Sequence, residues 1–195
     1  PGDHVLVASI GNFGERWKKL NATWGAEVTA LDYAWGTKAV PADIEKALAA
    51  DPAIKAVFVQ HSETSTGVVN DIKTIGEIVA RTPAILVVDA ISGLGASALQ
   101  TAAWKVDIAV AGSQKALMVP PGLAYAAVSE KAWAVIEQEP RSMSRPSRAP
   151  RTTSGKAAAS LTSSTTGSVS RLTTASSWTS STTAVVRKCP ARRGG

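Results

Sequence analysis

Ala84-Ile85-Leu86-Val87-Val88-Asp89 decides the fold: five apolar residues, three of them β-branched, close on a single carboxylate. A strand with one wet face alternates apolar and polar residues. A run without alternation therefore predicts a strand covered on both sides, the condition of a parallel sheet between helical layers. Outward from this run, residues 5–10 (closed by Gly11-Asn12), 27–31, 56–60, 108–111 and 123–128 read as further strands. Helical stretches lie between them. Phe13, Trp17, Leu20 and Trp24 recur at helical spacing before Gly25, and Pro41 opens a helix with Ile44, Ala47 and Leu48 on one face. Asn70 or Asp71 caps a third helix with Ile72, Ile75, Ile78 and Val79 inward, and residues 130–137 form a short fourth. This alternation predicts an α/β layered domain with right-handed crossovers over residues 1–140. Phe13, Trp17, Trp24, Trp35, Phe58, Trp104 and Trp133 read as core or helix-packing residues.

The composition changes at Pro140. Of 195 residues, those up to Pro140 carry 11 Lys and Arg against 15 Asp and Glu; those from Arg141 onward carry 10 Lys and Arg and no acid. The net +6 is thus a mildly acidic body plus a basic tail, and is no sign of a nucleic-acid-binding domain. Residues 141–195 hold 23 Ser or Thr, with Trp178 their one aromatic, and are expected to be a low-complexity basic tail, disordered or the product of a shifted reading frame. Cys189 is the single cysteine, so no intrachain disulfide is possible and a reducing compartment is the default. No apolar run reaches the roughly 18 residues that a bilayer requires. Pro1-Gly2-Asp3-His4 has neither an initiator Met nor the shape of a signal peptide, so the chain is expected to begin mid-protein or after processing, and to be cytoplasmic.

In a parallel sheet ligands sit beyond the carboxyl ends of the strands. That points to His61-Ser62-Glu63-Thr64, to Asp89, and to Gly112-Ser113-Gln114-Lys115. Asp89 reads either as a turn residue or as a partly desolvated carboxylate awaiting a cation. Lys115, between a polar loop and Ala116-Leu117-Met118, reads either as a solvated lysine or as a desolvated one whose lowered pKa suits Schiff-base formation. An amine and an anion one strand apart meet the requirement of pyridoxal phosphate: a lysine for its aldehyde, and an acid to keep its ring nitrogen protonated.

Five blocks in order carry a family resemblance. They are Pro1-Gly2-Asp3-His4-Val5-Leu6-Val7, Phe13-Gly14-Glu15-Arg16-Trp17, residues 61–68, residues 87–95, and Gly112-Ser113-Gln114-Lys115-Ala116-Leu117-Met118-Val119-Pro120-Pro121-Gly122. Over residues 1–138 the chain resembles the class-V aminotransferases, nearest to the alanine–glyoxylate and serine–glyoxylate transaminases. The resemblance implies a partial large domain of the type I pyridoxal-phosphate fold, about half of a typical member. It makes Lys115 the cofactor-holding lysine and proton carrier, and Asp89 the partner of the pyridinium nitrogen. Ile91 would pack on a ring face, Thr64 lie near the ring's phenolic oxygen, and Gln114 contact the phosphate. His61 and Glu63 receive no role beyond a hydrogen-bonded histidine in a turn. The family's glycine-rich phosphate turn and ring-stacking aromatic would precede Pro1, and its substrate-carboxylate arginine would lie in a later domain. The implied partners are a small amino acid and a 2-oxo acid, with a homodimer as the assembly; no metal, membrane or specific nucleic acid is expected.

Other readings compete. Gly93-Leu94-Gly95-Ala96-Ser97-Ala98 fits a loose dinucleotide fingerprint. A cysteine desulfurase would share the fold, but it needs a nucleophilic cysteine on a mobile loop and usually carries His where Gln114 stands. The basic tail could bind polyanions unspecifically, with strong salt dependence.

Overall fold

In the computed structural model, which describes residues 1–138 and the backbone of Thr183–Lys188, all six segments read as strands are strands. They are β1 (His4–Ser9), β2 (Glu27–Asp32), β3 (Ile54–Gln60), β6 (Ile85–Asp89), β7 (Ile108–Gly112) and β8 (Leu123–Val128). The helices are α1 (Asn12–Thr23), α2 (Pro41–Ala50), α3 (Ile72–Val79) and α4 (Glu130–Gln138). Of the two cap candidates Asp71 is the one used, its side chain accepting from the Thr74 amide at 3.1 Å. Asn70 is buried instead, tying the Ala39 amide to the Gln60 carbonyl across two loops.

The sheet order is β2-β1-β3-β6-β7-β8, extended by β9 (Thr183–Lys188). β2 through β7 run parallel and β8 runs antiparallel to β7. That reversal has a local cause: the connection over residues 113–122 is shorter than the roughly dozen residues a parallel crossover needs. The longer link between β6 and β7, residues 90–107, also lacks a helix, but its string of turns is long enough to cross back and leave the two strands parallel. A short hairpin of β4 (Ser62–Glu63) and β5 (Val68–Val69), which periodicity did not show, closes the loop after β3.

The apolar runs divide between two faces. Val57 and Val59 of β3 join Ile44, Ile72, Ile75, Leu86 and Val88 in the main core beneath α2 and α3. Phe58 points the other way and meets Trp17 of α1, ring centroids 5.1 Å apart. The sheet is therefore helix-covered on both sides, as the unalternating run 84–89 required. Two aromatics depart from the core reading: Trp24 closes α1 half in solvent, and Trp35, in the loop after the exposed edge strand β2, is 61% exposed. No described helix is long and apolar enough to cross a membrane. The tail expectation, with Cys189 and Trp178, falls almost wholly outside the described residues; the part described, Thr183–Lys188, is an edge strand antiparallel to β8.

Candidate functional site

Asp89 is the last residue of β6 and only 7% exposed. Its Oδ1 accepts the Ile91 amide at 3.0 Å, and its Oδ2 accepts the indole N–H of Trp17 at 2.9 Å. Burial pushes its carboxyl above the usual aspartate range, with the Trp17 and Ile91 hydrogen bonds pulling it back. No ion pair engages it among the described residues. A desolvated acid with two neutral donors and no ion pair has lone pairs left that a positive group could meet.

Lys115 lies on the loop after β7, the strand paired with β6, and so at the same carboxyl edge as Asp89. The loop is held by its own backbone: the Met118 amide donates to the Lys115 carbonyl at 2.9 Å, and buried Ser113 donates its hydroxyl to the Pro120 carbonyl at 2.8 Å. Lys115 is exposed, which corrects the desolvation read from its neighbours. Ala116-Leu117-Met118 does not cover it because the turn faces outward, Met118 itself being 90% exposed. The loop after β6 comes up against this one at Gly95. A Cβ there would stand 3.4 Å from both the Ala116 carbonyl oxygen and Leu117 Cδ2, and its φ of +91° suits only glycine without strain.

The other expected residues divide. Thr64 is exposed at the same edge and donates its hydroxyl to Ser92 at 2.8 Å, joining the β4 turn to the loop after β6. Gln114 is exposed beside Lys115. Ile91 is not placed by strand alternation, because β6 ends at Asp89. Its amide is folded back onto the Asp89 carboxylate, and the residue is 36% exposed in a turn. No helix opens after Gly93-Leu94-Gly95, so the dinucleotide fingerprint lacks the helix N-terminus that would bind a pyrophosphate.

Residues 1–142 match the family description of the class-V aminotransferases. The chain belongs to that family. It is 46% identical over 137 residues to an uncharacterized aminotransferase of Methanocaldococcus jannaschii, covering 70% of this chain and 36% of that protein. To a serine–glyoxylate aminotransferase of Methylorubrum extorquens it is 44% identical over 140 residues, 70% of this chain and 35% of the relative. The crystal structure of an alanine–glyoxylate aminotransferase from Nostoc superposes with a TM-score of 0.69 at 30% identity, over 71% of this chain and 37% of the other. The α/β fold class is thereby borne out. The chain spans little more than a third of the length of these relatives, less than the half expected.

Within this class-V sheet, two residues carry more than the sequence reading assigned. Glu63 is fully buried and accepts from the Phe13 and Gly14 amides, both at 3.1 Å, and from the Ser65 amide and hydroxyl at 3.1 and 2.7 Å. It thus satisfies orphan donors of the first turn of α1 and complements the positive end of that helix. No local signal marks this, since donor and acceptor are about 50 residues apart. Trp17, read as a packing aromatic, gives Asp89 its long-range hydrogen bond; its one clue was that a buried indole N–H needs an acceptor. His61 is buried against Gly93, and its ring bonds the Ala98 backbone while Nδ1 finds no partner among the described residues. A cleft at the opposite, amino edge of β7, lined by Lys105, Asp107 and Lys131, is remote from these groups, and Lys131 there is engaged by the Thr82 and Ala84 carbonyls.

Proposed function

We propose that this chain carries the cofactor-holding part of a pyridoxal-phosphate-dependent transaminase that moves an amino group from alanine or serine to glyoxylate. The observation that carries the reading is the buried carboxylate of Asp89, in no ion pair among the described residues, one strand from the exposed Lys115. The relatives named above supply the substrate class: one is named for serine and one for alanine as donor, each with glyoxylate. A small amino acid and a 2-oxo acid are thus the proposed substrates, and a homodimer the proposed assembly.

The residues present fit the cofactor. Pyridoxal phosphate supplies an aldehyde that takes an amine and a ring that accepts the electrons of a carbanion. Asp89, each of whose carboxylate oxygens accepts one hydrogen bond, would keep a ring nitrogen protonated. Lys115 would hold the aldehyde carbon through Nζ and, once displaced by substrate, take and return the proton at the substrate carbon. By the family resemblance Thr64 would lie near the ring oxygen, Gln114 would contact the phosphate and Ile91 would pack on a ring face; all three are exposed.

Borohydride trapping tests this. The full chain, incubated with pyridoxal phosphate and reduced, is expected to carry the cofactor mass on the peptide containing Lys115, and Lys115→Ala to carry none there. Label spread over surface lysines without preference for Lys115 would overturn the reading.

A further inference from the structure

We propose that Trp17 is a positioning residue for Asp89, its indole N–H fixing one carboxylate oxygen so that the anion stays oriented at the carboxyl edge of β6. The proposal rests on the reading of Asp89 as a ring-nitrogen partner, which requires an anion in a set orientation at working pH.

The two donors to Asp89 differ in origin. The Ile91 amide is two residues away and comes with the turn. Trp17 comes from α1, 72 residues back in the chain, and its bond is the tertiary one. An indole N–H donates and cannot accept. A proton on Oδ2 would meet that N–H head-on, so the contact favours the ionised carboxylate and leaves the remaining lone pairs for a ligand. The indole is placed by packing rather than by the carboxylate: its ring lies 5.1 Å from Phe58 at 34°, and Phe58 pairs in register with Val87, two residues before Asp89. The helix bearing it is anchored by Glu63 at the Phe13 and Gly14 amides. The donor is therefore in place before any ligand arrives. The charged groups facing Asp89 are Arg16 of α1, which favours its anion, and Glu63 of β4, which opposes it. Against the burial that pushes the carboxyl up, the Trp17 hydrogen bond is the leading counterweight.

The test needs no cofactor. In the full chain labelled with carboxyl-¹³C aspartate, with the Asp89 signal assigned by its loss in Asp89→Asn, the Asp89 titration is followed by NMR. Trp17→Phe keeps a ring against Phe58 and removes the donor. Its Asp89 midpoint is expected to rise by about one unit or more, the size of a charged hydrogen bond. An unmoved midpoint in a folded variant overturns the proposal. Should the variant fail to fold, the unmodified chain decides: the ¹⁵N-labelled Trp17 indole resonance is expected to shift through the Asp89 midpoint, and a flat resonance overturns the proposal. Trapping at Lys115 in the unmodified chain is independent of both results, so failure of the cofactor reading is distinguishable.

Discussion

His4 sits at the open end of β1 between two acids, Nδ1 2.8 Å from Asp51 and Nε2 2.9 Å from Glu27. The Asp51 hydrogen bond, with Glu27 adding to it, outweighs desolvation and holds the imidazole above its ordinary 6.5. His61 is displaced the other way, because burial disfavours its charged form more than the Ala98 backbone bond favours it. These are the two histidines of the chain, and their linkage has opposite sign. The His4 contribution is fully present below pH 6.5 and is lost as pH rises through the raised folded value. The His61 contribution is present above 6.5 and is lost as pH falls through the lowered one. Denaturant midpoints measured across pH are expected to separate them: His4→Gln loses the stabilisation on the acid side, whereas His61→Gln loses the fall in stability that sets in just below pH 6.5, leaving that of the lowered carboxyls Glu15, Asp51 and Asp71 at more acid pH. Parallel pH profiles for the two variants would contradict this assignment.

At the scale of the element, α1 links the sheet to the site. Gly14 lets the helix approach β1 so closely that a Cβ would stand 2.6 Å from Ser9 Cα, which is backbone and cannot give way. Glu63 holds the first turn, and Trp17, one turn on, reaches Asp89. Gly14→Ala is therefore expected to cost about 2 kcal/mol through overpacking and to pull the indole away from the carboxylate. Asp71→Ala, which removes the cap of α3, is expected to cost about 1 kcal/mol and leave that hydrogen bond intact. Chemical denaturation gives the stabilities, and the Trp17 indole ¹H–¹⁵N shift reports the contact. Helix α1 itself was legible from the spacing of Phe13, Trp17 and Leu20. Its anchoring was not, because Glu63 follows it by some 50 residues, and a local pattern cannot say which distant acceptor meets a helix terminus.

Across the whole molecule, a five-strand parallel sheet is continued by the antiparallel β8 and then β9, whose pairing satisfies the outward backbone groups of β8. A chain ending at residue 138 leaves that ladder unpaired, and an open edge templates association. It is expected to form larger, concentration-dependent species by light scattering than the full chain does under the same conditions. The sequence by itself determined the strands, three of the four helices to within a residue or two at each end, the two-sided burial of the sheet and the carboxyl edge as the place where Asp89 and Lys115 lie. Each of these follows from side-chain period and chain direction, which are local. Only the tertiary structure decided that Lys115 stands in solvent, that Ile91 belongs to a turn rather than a strand, that Glu63 is the anchor of α1 and that Trp17 is the partner of Asp89. Each of those depends on which distant group arrives beside a residue, and burial and hydrogen-bond partnership are properties of the folded neighbourhood rather than of the residue and its nearest letters.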